Sequence, residues 1–373
     1  MSLNRGTRLE SILEKAEAEE ALSEAEIVHL LSIAHREDRE ALFAAARRLR
    51  ARHFGDRVFL YGFVYLSTYC RNDCLFCFYR RSNPTSPRYR KNRDQVIHAA
   101  QQLAESGVHL IDLTMGEDPA YSDVDGFEDL AHLVASVRDA TDLPVMISPG
   151  VVAEEALAAI KEAGASWYAC YQETHSRTLF EEIRPGQDFD RRLDGKRVAR
   201  RLGLLTEDGM LSGLGESAKS VAHTLVAMGK QQAAQVRVMS FVPQRDTPLS
   251  NHPPGDSSEE AKIIAVMRLL LPDRLIPASL DIGGLGGRRE RLDAGANVVT
   301  SLVPPGQGFA GVAQSSLDID DARRTVASVA PVLRDCDLSA ASSVDYSQWT
   351  EDRMERAVRD SDTDRLQRRQ GRF

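Results

Sequence analysis

The 373 residues carry 47 Lys and Arg against 55 Asp and Glu, a net charge of −8, and aromatic residues make up only 6%. This balance argues against nonspecific nucleic-acid binding, and with no basic stripe interleaved with aromatics there is no stacking platform for single strands. No apolar run reaches the roughly 18 to 20 residues that span a bilayer, and the first residues are charged at once (Arg5, Arg8, Glu10), so a soluble cytoplasmic protein is expected, built as one large α/β barrel or two ordinary domains.

In chain order, the opening segment reads as helices. Leu9, Ile12, Leu13 and Ala16 recur at helical spacing; Ser23, with Glu26 three positions on, forms a capping box for a second helix through about Ala34; a third is predicted from about Asp38 to His53. From Val58 the pattern changes to apolar strands alternating with amphipathic helices, as in a parallel sheet of βα units. The predicted strands are Val58–Ser67, His109–Thr114, Val145–Ser148, Ala165–Tyr171, Met210–Leu214, Val236–Phe241, Ile276–Ser279 and Val298–Ser301, separated by helices such as Asp94–Ser106, Ala153–Glu162 and Ser258–Leu271. Eight such strands predict an α/β fold of the (βα)8 type: N-terminal helices over 1–56, the barrel over 57–330, and a tail over 331–373 that is helical or partly disordered, since Glu351 to Phe373 mixes arginines with acids. An open doubly wound sheet is the structural alternative, but no G-x-G-x-x-G turn opens the first βα unit. The glycines Gly283, Gly284, Gly286 and Gly287 after the seventh strand read as a tight turn as readily as a ligand contact.

Directly after the first strand stand Cys70, Cys74 and Cys77, a C-x3-C-x2-C array. A structural zinc site wants four ligands, and no second pair is present; Cys170 and Cys336 are remote and read as small buried apolar residues or incidental thiols. A disulfide within the triplet is not expected in a reducing compartment. Three thiolates with no fourth can hold a 4Fe-4S cluster and leave one iron open to a ligand. The position is also the one a barrel enzyme uses, at the carboxyl end of a strand.

Other polar groups fall at strand ends or inside apolar strands. After the second strand comes Thr114-Met115-Gly116-Glu117-Asp118-Pro119, where the glycine permits close backbone approach and a carboxylate follows. After the fourth comes Tyr171-Gln172-Glu173-Thr174, with Arg192 nineteen positions beyond Glu173 and Arg191 beside it; Glu173 could equally form a surface ion pair with Arg184 or Arg192. Arg237 in Gln235-Val236-Arg237-Val238-Met239 needs an anion and offers paired donors to a carboxylate. Ser279 and Asp281 alternate onto one face of the seventh strand, and Asp112 interrupts the apolar second strand. An internal salt bridge between Asp112 and Arg237 is one outcome. The other is a zwitterionic ligand with an additional amine, a description that a diamino acid such as lysine meets.

The cysteine array and its setting resemble the radical S-adenosylmethionine (SAM) superfamily, whose open iron chelates the amino and carboxylate groups of SAM and whose chemistry yields a 5′-deoxyadenosyl radical. The resemblance implies that Phe76 packs near the adenine and that the Gly116-Glu117 turn contacts the SAM amino group, here with methionine before the glycine. Glu173 and Arg192 match the pair that holds SAM in the biotin-synthase-like branch, the arginine on its carboxylate.

Segments Phe54–Leu60, Ser67–Cys70, Asp112–Pro119, Met146–Gly150, Tyr171–Thr174, Leu275–Asp281 and Ala294–Asn297 resemble, more narrowly, the methylornithine synthase family, radical SAM isomerases that open pyrrolysine biosynthesis. That resemblance implies conversion of L-lysine to 3-methylornithine by hydrogen abstraction, fragmentation and recombination. It further implies binding of the amino acid by Asp112, Arg237, Ser279 and Asp281, and an electron donor such as a flavodoxin or ferredoxin. A biotin-synthase-like or hydrogenase-maturase-like enzyme acting on another small molecule is the alternative.

Overall fold

The computed structural model describes residues 3–121, 124–280, 287–304 and 324–370. Three helices come first: α1 (Leu3–Glu17), α2 (Glu24–Leu31) and α3 (Arg36–Phe54). The capping box at α2 forms as the sequence predicts, with Ser23 Oγ accepting from Glu26 N and the Glu26 carboxylate accepting from Ser23 N, so two otherwise unpaired helix-end donors are satisfied. The helices lie on the barrel wall: Lys262 Nζ donates to Ile33 O at 3.0 Å and Arg50 Nη1 to Leu292 O at 2.7 Å.

Eight parallel strands follow, β1 (Arg57–Ser67), β2 (Leu110–Met115), β3 (Val145–Ser148), β4 (Ala165–Ala169), β5 (Leu205–Ser212), β6 (Gln235–Ser240), β7 (Pro277–Ser279) and β8 (Val298–Leu302). Their order in the sheet is β6-β5-β4-β3-β2-β1-β8-β7. The ring is drawn together between β6 and the residue pair before β7, where Val236 N donates to Leu275 O at 3.0 Å and Leu275 N to Ala234 O at 3.1 Å. The architecture is the (βα)8 type, with α4 (Arg93–Glu105), α5 (Val124–Thr141), α6 (Glu154–Glu162), α7 (Arg177–Ile183), α8 (Phe189–Arg201), α9 (Ala218–Lys230), α10 (Ser257–Leu270) and α11 (Arg288–Asp293) around it. β2, β3 and β8 are buried at every position, as strands covered on both faces must be.

Two strand boundaries differ from expectation. β5 begins at Leu205, five residues before the predicted Met210, because Glu207 and Asp208 are fully buried and paired, to Arg237 and Lys196 respectively, where a charged run reads as loop. β4 ends at Ala169 and not at Tyr171, and the chain leaves the sheet so that Glu173 adopts a left-handed φ of +67°.

Beyond the barrel come α12 (Val326–Arg334), a short β9 (Ser339–Ala340) paired with the start of β1, and α13 (Ser343–Gln370). α13 starts eight residues before the polar tail marked in the sequence and closes the amino-terminal end of the barrel. Tyr346 packs edge-on against Phe59 and Tyr61, with its hydroxyl 3.1 Å from that of Tyr61, and Trp349 stacks on Trp167 at 6.0 Å. Above them, Leu110, Met146, Trp167, Leu275 and Val298 fill the lower interior. The opposite, carboxyl-terminal end carries the cysteines.

Candidate active site

The segment between β1 and α4 is pinned at both ends before it presents any thiol. Asp118, buried beyond β2, accepts Ser67 Oγ and a bidentate pair from Arg90, Nε at 2.6 Å and Nη2 at 2.7 Å, while the Arg90 guanidinium stacks over Tyr69. Arg88 donates to the carbonyls of Thr68, Tyr79 and Arg80, stitching the returning strand to the cysteine loop. A Cβ at Gly116 would lie 2.4 Å from Tyr69 O and 2.9 Å from Cys70 Cβ, so only glycine lets the β2 turn support this loop.

Cys70, Cys74 and Cys77 line one cleft of about 1060 Å³ together with Phe76, Gly116, Glu117, Glu173 and Arg192. The structure therefore brings together, from β1, β2, β4 and α8, every residue that the sequence reading assigned to the cofactors. Burial pushes the Cys70 thiol up, and burial with the neighbouring Cys74 and Cys70 sulfurs pushes Cys77 up further. Three ionised thiols here need a strongly cationic partner. Among the described residues no group of three His, Cys, Asp or Glu is set to grip one metal ion. Three thiols lining one pocket, with no fourth cysteine in the loop, fit a 4Fe-4S cluster with one iron open.

The charged residues form a connected set. Arg192 Nη1 donates to Glu117 Oε1 at 2.8 Å and its Nε to Tyr171 O at 2.7 Å, and the Val151 amide also donates to Glu117. Burial alone would raise the Glu117 pKa; Arg192 more than offsets it and the carboxyl sits at about 2. Glu173 accepts from Arg184 Nη2 at 2.9 Å, and both are buried, which replaces the surface ion pair anticipated for Glu173 by an internal one. For Glu173 burial outweighs the neighbouring Arg184 and Arg192, and its pKa lies above the ordinary carboxylate value. Arg191 is exposed and Arg192 buried, so Arg192 is the one aimed into the cleft.

Asp112, Arg237 and Ser279 lie one layer behind this lining, each buried. Ser148 Oγ, in the wall, donates to Asp112 Oδ1 at 3.3 Å, and the Arg237 guanidinium stacks under the ring of Tyr171. The carboxylate on Arg237 Nε is Glu207 at 2.7 Å, a partner that sequence reading did not name. Asp281, with Gly283, Gly284 and Gly286, falls outside the described residues.

Sequence reading missed four further members of the site. Arg184 and Gln187, at the corner between α7 and α8, touch Cys74 Sγ at 3.6 and 3.0 Å. Cys170 is a buried core residue, the first of the two readings the sequence allowed, and its cleft-facing position was not foreseen. Asp208, beneath Gln172, holds Lys196 Nζ at 2.6 Å and accepts the Gln172 amide at 2.9 Å, supporting the loop that carries Glu173. Burial opposes ionisation of Asp208, but Lys196 and His175 overcome it and hold the carboxyl well below its usual range.

A family model described as the radical SAM superfamily matches residues 64–227. The chain is 40% identical to the 3-methylornithine synthase of Methanosarcina barkeri over 87% of its own length and 92% of the relative's. It is 34% identical to the FeFe hydrogenase maturase subunit HydE of Thermotoga maritima over 77% of its length and 82% of that protein's. The crystal structure of methylornithine synthase (PylB) superposes with a TM-score of 0.86 at 39% identity, covering 91% of this chain and 99% of that one.

Proposed function

Since the chain belongs to the 3-methylornithine synthase family of radical SAM isomerases, which use a 4Fe-4S cluster and SAM, we propose that it converts L-lysine to 3-methylornithine in the first step of pyrrolysine biosynthesis. The supporting observation is a cleft that joins three cysteine thiols to buried carboxylates and guanidinia, Glu117 with Arg192 and Glu173 with Arg184 in its lining and Glu207 with Arg237 behind it, a charge pattern fit for amino-acid zwitterions.

When bound, the cluster and SAM supply a one-electron reduction that generates a carbon radical able to take hydrogen from an unactivated carbon. The chain's own groups bind and orient. Cys70, Cys74 and Cys77 would hold the cluster by three thiolates, and Phe76, in the same cleft, would offer its ring to the SAM adenine. Glu117 and Arg192 are paired to each other at 2.8 Å, and each is the counterpart of one end of an α-amino acid. Glu117 would hold the SAM ammonium and Arg192 its carboxylate, so that neither buried charge would be left unpaired when their mutual bond is given up. Glu173, held by Arg184, completes the SAM side. Deeper in the barrel Arg237 receives the substrate carboxylate, its Nε fixed by Glu207, and Asp112 and Ser279 receive amines; Asp281 is assigned to the same substrate by the family resemblance alone. The sealed lower end excludes water from beneath and keeps two fragments within reach of each other for recombination.

The electron donor is read as a small acidic carrier such as a flavodoxin or ferredoxin. From Cys70 to Arg93, the segment that holds the cysteines, seven Lys and Arg stand against one Asp on a chain whose net charge is −8. Among the described residues no helix is long and apolar enough to cross a membrane, and the unpaired thiols suit a reducing cytoplasm.

The test is lysine-dependent release of 5′-deoxyadenosine by the anaerobically reconstituted protein with SAM and dithionite. Lysine is expected to raise the rate well above that with SAM alone. Stimulation by dethiobiotin and not by lysine would move the chain to the biotin-synthase-like alternative.

A further inference from the structure

Cys74 is the most buried of the three cysteines, and two polar side chains from the α7–α8 corner, outside the cysteine loop, reach its sulfur. Gln187 Nε2 donates to its Sγ at 3.0 Å and Arg184 Nη1 reaches it at 3.6 Å. The other end of Gln187 explains this orientation. Its Oε1 accepts from Arg184 Nη1 at 3.1 Å and from Arg192 Nη1 at 3.3 Å. A carboxamide whose oxygen is claimed by two guanidinia, which only donate, must turn its NH2 toward the sulfur. Gly186, with φ of +74°, makes the turn that brings residue 187 back over the cleft between α7 and α8.

We propose that Gln187, locked by Arg184 and Arg192, sets the reduction potential of the cluster by donating a hydrogen bond to the Cys74 thiolate. The inference rests on the cluster being held at Cys74. A one-electron carrier delivers its electron to the cluster, the reduced cluster bears one more negative charge than the oxidised one, and a donor on a ligating sulfur stabilises the reduced form more. Gln187 is a positioning residue that acts through Cys74, set behind the lining of the cleft. The same amide ties the potential to the SAM site, because Arg192 shares its oxygen, and Arg184, which shares it too, bonds Glu173.

The experiment is a potentiometric titration of the reconstituted protein, followed by the EPR signal of the reduced cluster, for the unaltered chain, Gln187→Leu and Gln187→Glu. Iron and sulfide content and the visible absorbance are measured on the same samples. Both variants are expected to keep their cluster and to have a lower midpoint: at fixed poise the ratio of reduced to oxidised cluster drops about tenfold, equivalent to about 59 mV for one electron. Gln187→Glu falls at least as far as Gln187→Leu, since a carboxylate beside the sulfur opposes added charge. A loaded variant with an unaltered midpoint overturns the inference. If Gln187→Leu does not assemble a cluster, Gln187→Glu decides, because it keeps the side-chain size and the acceptor for Arg184 and Arg192. No 4Fe-4S signal in the unaltered protein would remove the cluster reading itself, which is a different failure.

Discussion

The two ends of the barrel are built on opposite principles. The amino-terminal end is a plug of aromatic and aliphatic side chains, Phe59, Tyr61, Trp167, Tyr346 and Trp349, in which the polar atoms are few and the Tyr61 and Tyr346 hydroxyls satisfy each other. The carboxyl-terminal end is a mosaic of buried ions: Glu117 with Arg192, Glu173 with Arg184, and behind them Glu207 with Arg237 and Asp208 with Lys196. Buried ion pairs are poor sources of stability, since desolvation consumes most of their attraction, whereas apolar packing stabilises directly. The contrast teaches that stability has been concentrated at one end so that the other can keep charges ready to change partners.

Changes at the two ends should separate activity from stability. The largest effect is expected for Cys74→Ala: complete loss of turnover and of the cluster's visible absorbance, with a thermal midpoint close to that of the unaltered apoprotein. Retained turnover would break the comparison at its top end. Next, Arg192→Lys keeps the charge but loses the fork, and kcat/KM for SAM should fall on the order of a hundredfold, the worth of one or two charge-assisted hydrogen bonds. Circular dichroism of that variant should be unaltered.

Asp208→Asn removes one partner of a buried pair and should cost about 3 to 5 kcal/mol in chemical denaturation at neutral pH. The folded pKa of Asp208 is depressed by Lys196 and His175 against the pull of burial, so its contribution is fully present above the unfolded pKa of about 4 and lost as pH falls below it. The gap between variant and unaltered protein should therefore be flat from pH 7 to 5 and narrow on further acidification; a gap that widens would contradict the pairing. The smallest effect is expected for Tyr346→Phe at the plug, about 1 kcal/mol from one lost hydroxyl bond, with turnover per folded molecule unaltered. A loss of turnover there would mean that the lower end reaches the chemistry.

How much of this was legible in the sequence follows the same division. The cysteines, Glu117 and Glu173 follow strand ends, where the βα alternation itself indicates a barrel mouth, Arg192 on α8 was legible through its spacing from Glu173, and all line the cleft. Glu207 and Asp208 were not legible, because in a strand covered on both faces a charge is stable only with a partner from another element, and Arg237 and Lys196 lie 30 and 12 residues away. Arg184 and Gln187 were hidden for a related reason: their role depends on the α7–α8 corner folding back over Cys74, more than a hundred residues earlier. The closing function of α13 was missed because its sequence is polar throughout apart from a few positions, and Tyr346, Trp349 and Met354 are the apolar residues that mark the buried face.

The most direct test of the central claim is identification of the product formed from L-lysine by the anaerobic, reconstituted enzyme with SAM and reductant, using mass spectrometry behind a separation that resolves lysine isomers. The account predicts 3-methylornithine, absent when Arg237→Ala replaces the unaltered chain. SAM cleavage accompanied by a different lysine isomer, or with lysine untouched, would contradict it.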